Sequence, residues 1–241
     1  MRVLIISDVH SNLSAFRAVL EDVGRFDRIV CLGDIVGYGP DPEECVQLLK
    51  SFPDVICILG NHDAAVLDVI STGYFNPEAG KALKQQKQFM SEDSLHYLAS
   101  LPEMLVYGDL CLSHGSPRDP LWEYIDQGRV AWEVFEHFDT DGCLVGHTHL
   151  PCIFFETEDF KVSLLQPKSR DRWKPNARFI LNPGAVGQPR DGNPYASYVI
   201  WDTIENSFLF KRVAYDIQAV IKRIKDRGIP LLQAKRLNLG R

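Results

Sequence analysis

The sequence has no apolar run approaching the roughly 20 residues needed to cross a membrane. It also has no C-x-x-C pair, no internal repeat, no low-complexity stretch and no obvious linker. Positive charge is not in excess, since 26 lysines and arginines face 32 aspartates and glutamates, for a formal charge of −6. General binding to nucleic acid is therefore disfavoured, because phosphate contacts need a positive surface, although a locally positive site can still hold a small anion.

Cysteine is present, but its pattern does not indicate a metal site or a disulfide framework. Four of the six cysteines lie inside apolar runs: Cys31, Cys57, Cys111 and Cys143. This favours small buried side chains in a reducing compartment. The apolar start of the chain, residues 1–6, is too short for a signal peptide and polar residues follow at once, so we expect a cytoplasmic protein.

The 241 residues are 45% hydrophobic and 24% charged, which is typical of one large α/β domain, and we expect residues 1–241 to form a single domain. A chain of this length buries a full core without a structural metal, so a bound metal is expected to be catalytic. Buried strands are predicted at 2–7, 28–33 and 54–59, with helices at 13–24 and 42–52 between them. This order predicts parallel strands joined by helical crossovers.

The later part of the chain is predicted to leave the sheet and then return to it. Residues 64–104 are interpreted as a mostly helical excursion and a candidate cap over a cleft. The elements predicted after it are strands near 104–113 and 142–146, a helix near 129–138, a strand-rich region at 151–213 and a single closing helix at about 216–227. The basic stretch 168–174 is interpreted as a solvated loop, with a mobile lid for a polyanion as the alternative.

Five short polar clusters each follow an apolar run. They are Asp8-Val9-His10, Gly33-Asp34, Gly60-Asn61-His62-Asp63, Ser113-His114-Gly115 and Gly146-His147-Thr148-His149. Ligands bind at the carboxyl ends of strands in open α/β sheets, so five such ends with metal-binding side chains predict one shared site. Taken alone, an aspartate here would be a turn or helix cap, and the isolated His96 and His137 are interpreted as ordinary structural histidines.

The spacing inside the clusters suggests how the side chains converge. Residues i and i+2 of a strand point to the same side, so Asp8 and His10 can face one ion, and so can His147 and His149. Glycines at 33, 60 and 146 allow the backbone to turn sharply or to come close to its neighbours.

The number and type of donors indicate two ions. The seven candidate ligands are Asp8, His10, Asp34, Asn61, His114, His147 and His149. A single catalytic zinc uses about three protein ligands, whereas seven suit two ions that share a carboxylate. The mixture of imidazole, carboxylate and amide fits Mn, the favoured metal, or Fe, Zn or Ni, better than Ca. Two divalent ions leave a residual charge of about +1 after two aspartates and a hydroxide are counted, which attracts an anion.

Such a pair of ions, about 3.5–4 Å apart, would clamp the attacking and leaving oxygens of a phosphoryl displacement and lower the pKa of a water towards 7. His62 adjoins a candidate ligand and is suited to protonate the leaving oxygen, so we assign it as general acid. Asp63 either orients His62 or caps the following helix, and the cap is favoured.

The five clusters resemble the calcineurin-like metallophosphoesterase superfamily, whose pattern is D-x-H, G-D, G-N-H-D/E, a later H and G-H-T/S-H. The run 182–190 is similar to a segment that follows the last block in small prokaryotic members. The resemblance implies an α/β fold of two packed mixed β-sheets flanked by helices, in four layers α-β-β-α. It implies one ion held by Asp8, His10, Asp34 and His149, a second held by Asp34, Asn61, His114 and His147, and His62 in the general-acid position.

Two departures from the protein phosphatases of that superfamily bear on the substrate. Those phosphatases read G-D-x-V-D-R-G and R-G-N-H-E, whereas here Gly37 follows Val36 and Leu59 precedes Gly60. The two arginines that grip a phosphomonoester and the aspartate that orients the imidazole are therefore absent. Arg190 is the candidate substitute anion contact, with a surface arginine as the equal alternative. Asn12 either contacts the substrate or, as is favoured, caps the next helix.

The sequence thus predicts a dinuclear-metal phosphodiesterase acting on a small nucleotide-type phosphodiester or phosphoanhydride. A phosphomonoesterase or protein phosphatase and a non-catalytic scaffold of the same fold are the alternatives, and regulation by metal occupancy also stays open. We expect a small phosphorylated substrate as the partner, with no stable nucleic-acid or membrane binding, and the apolar final third is compatible with a homo-oligomer.

Overall fold

The computed structural model describes residues 1–159 and 161–241. The strands are β1 (Arg2–Ile6), β2 (Arg28–Cys31), β3 (Val55–Cys57), β4 (Met104–Tyr107), β5 (Leu110–Ser113), β6 (Gly142–Leu144), β7 (Cys152–Glu156), β8 (Val162–Leu165), β9 (Arg172–Trp173), β10 (Phe179–Asn182), β11 (Ala196–Asp202) and β12 (Ser207–Val213). The helices are α1 (Leu13–Val23), α2 (Pro42–Lys50), α3 (Asn61–Val66), α4 (Pro77–Lys87), α5 (Glu92–Ala99), α6 (Gly128–Val134), α7 (Ile217–Asp226) and α8 (Leu231–Leu239). Short 3₁₀ turns occur at Thr72–Tyr74 and Phe135–His137.

The strands form two six-stranded sheets, in the orders β3-β2-β1-β11-β12-β9 and β4-β5-β6-β10-β7-β8. Strands β1, β2 and β3 run parallel, as do β5, β6 and β10, whereas β11, β12 and β7 pair antiparallel with their neighbours. Both sheets are therefore mixed, and the predicted fold class is confirmed.

Alternation along β1 explains the layers. Val3 and Ile5 belong to the apolar core that joins the two sheets, whereas Leu4 and Ile6 belong to a core shared with the helices on the outer face. A strand buried on both faces reads as a continuous apolar run, as observed here. A third apolar cluster packs α6 against the outer face of the second sheet.

The helical excursion is confirmed as α3, a 3₁₀ turn, α4 and α5. The run at 104–113 differs from expectation, because it is a hairpin of β4 and β5 rather than one strand. All six cysteines are buried, as expected of small apolar side chains. Among the described residues, none of the helices combines the length and apolar character required to cross a bilayer.

Two predictions about the last third are wrong. The chain does not close on a single helix, because α8 follows α7 and packs Ala234 and Leu237 against Val220 and Ile224. Pro230 does not prevent this, since it stands at the N-cap of α8, where its missing N–H costs nothing. The basic stretch 168–174 is also not simply a solvated loop, because its residues in β9 pair with β12 at the edge of the first sheet.

Candidate metal centre

The five polar clusters meet at one end of the two sheets. Three of them follow β1, β2 and β3 of the first sheet, and two follow β5 and β6 of the second. The seven predicted ligands are all buried, none of them exposing more than 4% of its surface: Asp8, His10, Asp34, Asn61, His114, His147 and His149. Residues that are up to about 140 positions apart in the chain are thus collected at the carboxyl ends of central strands.

The ligand atoms form two groups that share one carboxylate. The first cluster is Asp8, His10 and His149, and the second is Asp34, His114 and His147; within each, the candidate ligand atoms lie within 4.8 Å of one another. Oδ2 of Asp34 lies 3.6 Å from Nε2 of His10 and 3.3 Å from Nε2 of His114. One oxygen therefore faces both clusters, which is the arrangement needed for a bridging ligand.

Asn61 joins the second cluster, because its Oδ1 lies 3.2 Å from Nε2 of His114.

The close approach of the backbone around Asp34 needs a glycine at 60. An added Cβ at Gly60 would lie 2.2 Å from Oδ1 of Asp34, and at Gly146 it would lie 2.0 Å from the Ser7 hydroxyl oxygen. The predicted close approaches at these glycines are confirmed.

Main-chain carbonyls orient the four imidazoles. Three of them donate from Nδ1, with His10 bonded to Val36 (3.0 Å), His114 to Leu32 (2.8 Å) and His149 to Gln188 (2.5 Å). His147 donates instead from Nε2, to the Trp122 carbonyl at 3.2 Å. A carbonyl only accepts, so in a neutral imidazole the opposite ring nitrogen carries a lone pair, and these partners select the nitrogen that can bind a metal.

Unprotonated ring nitrogens of His10 and His149 lie close to other hydrogen-bond acceptors, and such contacts indicate whether a cation fits between them. Nε2 of His10 lies 3.1 Å from Nε2 of His149, which also lies 3.1 Å from Oδ1 of Asp8. Both carboxylate oxygens of Asp8 are buried without a hydrogen-bond partner. Such acceptor-to-acceptor contacts and unpartnered buried oxygens are costly unless positive charge lies between them, so the donor set fits a divalent ion.

Burial sets the charge state of the histidines. It lowers the pKa of His147 to about 3 and that of His149 to about 4, so both are neutral near pH 7, as metal binding requires. Burial also opposes a charge on His114, but the adjoining Asp34 carboxylate outweighs it and raises the pKa of His114 to about 10. A cation bound in the second cluster would replace that proton.

The predicted reason for convergence is wrong, although the residues do converge. Asp8, His10, His147 and His149 do not alternate along strands, because β1 ends at Ile6 and β6 ends at Leu144. These four residues and Asp34 adopt left-handed backbone conformations, with φ between 49° and 63°. Such a conformation costs a non-glycine residue about 1–3 kcal/mol, and clusters of strained residues are found mainly at functional sites.

His62 lies beside both clusters, and its ring nitrogens reach within 4.8 Å of the ligand atoms of His10 and Asp34. Its main-chain N–H donates to Oδ1 of Asp34 at 2.8 Å. The ring contacts Tyr38 and Phe75, with centroid distances of 4.4 and 4.8 Å, and Nδ1 is buried without a partner. Burial lowers the pKa of His62 well below its usual value.

Residues 1–206 match the family described as the calcineurin-like phosphoesterase superfamily domain. The chain belongs to this superfamily. Membership, together with the buried histidine and aspartate clusters, supports a metal-dependent phosphoester hydrolase as the class of enzyme.

Two relatives share almost the whole length of the chain, and a third shares part of it. An uncharacterized protein from Methanocaldococcus jannaschii is 37% identical over 99% of this chain and 98% of its own. The crystal structure of a metallophosphoesterase from Sphaerobacter thermophilus is 45% identical, with a TM-score of 0.92 over 100% of this chain and 99% of that one. A symmetrical bis(5'-nucleosyl)-tetraphosphatase from Aromatoleum aromaticum is 27% identical over 59% of this chain and 54% of its own.

Asp63 does not orient His62 in this phosphoesterase. Its Oδ2 accepts the N–H of Gly60 at 3.1 Å and its Oδ1 accepts that of Val36 at 3.0 Å. The capping interpretation is therefore confirmed, and the carboxylate also ties the start of α3 to the loop after β2.

Gly37 stands in the family position of the imidazole-orienting aspartate. Its backbone has a φ of +101°, and an added Cβ would lie 2.3 Å from Nδ1 of His62. Gln86 of α4 holds this loop, because its Oε1 accepts the N–H of Gly37 at 2.7 Å and its Nε2 donates to the carbonyl of Gly39 at 2.5 Å. The helical excursion thereby determines where the loop touches the His62 ring.

We expect Gly37→Ala to lower the turnover of esters with an alkoxide leaving group about 10- to 100-fold, because the methyl group would displace the His62 ring. The left-handed backbone should also lower the free energy of unfolding by about 1–3 kcal/mol, measured by chemical denaturation. Gly24→Ala is the control, since Gly24 also has a positive φ, +67°, but nothing lies within 4 Å of an added Cβ. Wild-type turnover in Gly37→Ala would contradict the proposed contact.

The two predicted substrate contacts have different surroundings. Arg190 lines the cavity beside His62, and its Nη2 lies 3.3 Å from both the Tyr38 hydroxyl and Oε1 of Gln188. It is half-buried rather than a free surface arginine, and its Nε has no partner.

Asn12 caps helix α1, as the favoured interpretation of the sequence predicted. Its Oδ1 accepts the N–H of Ala15 at 3.1 Å and its Nδ2 donates to the Gly187 carbonyl at 2.9 Å. Since both polar atoms are engaged inside the protein, a contact between Asn12 and a substrate would have to compete with these bonds.

Several residues of the site escaped the sequence reasoning. Tyr38 contacts the rings of His10 and His62, with centroids 4.6 and 4.4 Å away, and Gln86 reaches the site from α4. The other residues that line the cavity include Tyr74, Phe75, Trp122 and Tyr124. No spacing pattern links these positions to the metal clusters, and their only signal was a local abundance of aromatic residues.

Proposed function

We propose that this protein uses two divalent ions to hydrolyse a small nucleotide-type phosphodiester or phosphoanhydride. The observation that carries the proposal is the pair of buried clusters sharing one carboxylate oxygen of Asp34, with the His62 ring beside them. When bound, the ions would supply positive charge for the phosphoryl group and activate water near neutral pH. Manganese is the favoured metal, and Fe, Zn or Ni fit the same donor set.

The residues that would hold the ions follow from the clusters. Asp8, His10 and His149 would hold one ion, Asn61, His114 and His147 would hold the other, and Asp34 lies where it would serve both. We assign His62 as the donor of the proton that the leaving oxygen takes up. Burial alone disfavours the protonated imidazole, so the negative charge of a bound phosphoryl group beside the ring would be needed to favour it. Arg190, which lines the same cavity as His62, would contact a phosphoryl oxygen.

The preference for a diester over a monoester rests on the positive charge available to bind the phosphate. Arg190 is the one cationic side chain among the residues that line the described cavity, whereas the arginine pair of the protein phosphatases is absent from the corresponding sequence positions. A phosphomonoester dianion needs more compensating charge than a diester monoanion. The similarity to a symmetrical bis(5'-nucleosyl)-tetraphosphatase from Aromatoleum aromaticum supports a nucleotide-type phosphoanhydride as a further candidate substrate.

The direct test is hydrolysis of bis(p-nitrophenyl) phosphate by the manganese-loaded protein before and after chelation. We expect metal-dependent release of p-nitrophenolate that chelation removes and added manganese restores. A panel of nucleotides then identifies the natural class of substrate. Failure to hydrolyse any phosphoester with metal bound would favour the non-catalytic scaffold, and faster hydrolysis of monoesters than diesters would favour a phosphomonoesterase.

Replacing Arg190 tests the anion contact. We expect Arg190→Ala to raise KM about 10-fold or more, since a charged hydrogen bond contributes about 1.5–3 kcal/mol. The matched control is Arg129→Ala, because the Arg129 side chain is 75% exposed on α6. An unchanged KM in Arg190→Ala would contradict a role for this residue in substrate binding.

We also propose a cytoplasmic protein whose partner is its small phosphorylated substrate, without stable nucleic-acid or membrane binding. The net charge of −6 supports this, since it repels polyanionic surfaces. Size-exclusion chromatography with light scattering tests the homo-oligomer that the apolar final third allows.

A further inference from the structure

We propose that the cavity beside the metal clusters binds a planar aromatic ring of the substrate, such as a nucleobase, through Tyr74, Trp122 and Tyr124. This inference rests on the proposed function and narrows its substrate class to phosphoesters that carry such a ring. Base-to-aromatic stacking recognises the face of a ring rather than its hydrogen-bonding edge, so the proposal concerns rings as a class and not one base.

The first support is the lining and size of the cavity. Aromatic side chains contribute five of its lining residues: Tyr38, Tyr74, Phe75, Trp122 and Tyr124. Its volume is about 130 Å³, and it opens directly onto Asp34, His62 and His147. The metal ligands line the buried part of the cavity, where the phosphoryl group would lie, so a ring of the substrate would lie at the exposed part formed by Tyr74 and Tyr124.

The second support is a continuous series of ring contacts that leads outward from the general acid. The ring centroid of Phe75 lies 4.8 Å from that of His62 and 5.2 Å from that of Trp122. Tyr74 extends the series, with its ring 6.1 Å from that of Trp122. Tyr124, which also lines the cavity, stacks on the imidazole of His147 with a centroid distance of 4.0 Å.

The third support is the exposure of the outer rings. Tyr74 is 77% exposed and Tyr124 is 47% exposed, although both line the cavity. Exposed large aromatic side chains gathered at the mouth of a cavity indicate a binding surface, because a ring left in water forgoes the stabilisation that burial would give it.

The fourth support is the rigidity of the segment that carries two of these rings. Glu123 lies between Trp122 and Tyr124, and its carboxylate accepts hydrogen bonds from the Arg118 guanidinium and from the Ser116 hydroxyl. The Trp122 carbonyl is also held by His147. A surface ordered before the ligand arrives loses less conformational entropy on binding, so these rings are preorganised for stacking.

The test compares two diesters with the same leaving group, thymidine 5'-(p-nitrophenyl phosphate) and methyl p-nitrophenyl phosphate. We expect wild-type kcat/KM to be about 10-fold higher for the thymidine ester. Tyr74→Ala should bring this ratio close to 1, whereas Tyr74→Phe, which keeps the ring, should preserve it. Tyr195→Ala is the matched control, because Tyr195 is 46% exposed and is not among the lining residues of the cavity.

Phenyl p-nitrophenyl phosphate separates a general aryl site from a nucleoside site. An advantage over the methyl ester equal to that of thymidine would show that the ring alone is recognised. A ratio near 1 for both the thymidine and phenyl esters in the wild type, unchanged by Tyr74→Ala, would overturn the inference and leave the phosphoesterase function standing.

A binding measurement separates the failure of this inference from that of the proposed function. Calorimetry with the manganese-loaded protein compares thymidine 5'-monophosphate with inorganic phosphate. We expect the nucleotide to bind about 10-fold more tightly than phosphate, with Tyr74→Ala removing the difference. Tighter binding of the nucleotide without any hydrolysis would support the ring site and refute the proposed phosphoesterase activity. Equal affinities for thymidine 5'-monophosphate and inorganic phosphate would refute the ring site.

Discussion

Asp34→Asn is expected to lower turnover about 1000-fold or more while the protein stays folded. The change removes the one negative charge that both clusters share, through an oxygen 3.3 Å from His114 and 3.6 Å from His10. Metal-based charge stabilisation contributes several kcal/mol to such reactions, and each 1.36 kcal/mol is tenfold in rate. The fold should survive because the amide oxygen of asparagine can still accept the main-chain N–H of His62.

The measurements are turnover of a diester, metal content by mass spectrometry and the unfolding transition. We expect the variant to hold fewer than two ions per chain. The control is Asp226→Asn, at an exposed position on α7, which should match the wild type in all three measurements. Full metal-dependent activity in Asp34→Asn would remove the bridging assignment, and loss of the folded state would transfer the test to Asp34→Glu.

His62→Ala is expected to lower kcat about 100- to 10,000-fold for esters with an alkoxide leaving group. Esters of p-nitrophenol should lose about tenfold or less, because p-nitrophenolate departs without receiving a proton. This difference between leaving groups is specific to a general acid, whereas a packing defect would slow both classes equally. The structure supports the assignment because the His62 ring lies beside both clusters and is almost completely buried, with 3% exposed.

His62→Gln separates proton donation from packing, since glutamine fills much of the same volume but is no acid at neutral pH. It should show the same dependence on the leaving group as His62→Ala. His96→Ala is the control, because His96 is exposed on α5 and should leave both classes of ester unaffected. Equal losses for alkyl and p-nitrophenyl esters would assign His62 a structural role instead.

The agreement between sequence and structure is best where local chemistry and short spacing carry the information. The α/β class followed from apolar runs alternating with helical patterns, whereas the two-sheet architecture was implied by the family resemblance, and the seven candidate ligands do converge. Strand alternation was the wrong explanation for the position of His10, because strand periodicity does not reveal a left-handed φ of 49°. That backbone is held by the loop after β2, because the N–H of His10 donates to the Asp34 carbonyl at 2.9 Å and the His10 carbonyl accepts the N–H of Gly39 at 3.0 Å.

Helix α8 shows a different limit. The sequence signals at Gly228 and Pro230 correctly end α7, but they say nothing about whether the chain resumes a helix after them. Formation of α8 depends instead on tertiary packing, because Leu237 belongs to one apolar cluster with residues of α7 and with Ala82 of α4.

Sequence alone therefore determined the chemistry available to this protein: the identities of the candidate metal-binding donors, the imidazole of His62 and the absence of the phosphatase arginines. Tertiary structure decided which nitrogen of each imidazole faces the centre, how Gly37 and Gln86 place the His62 ring, and that Tyr74 and Trp122 meet beside it. The division has a physical reason. Donor type is a property of one residue, whereas tautomer, ring position and cavity shape depend on contacts between segments far apart in the chain.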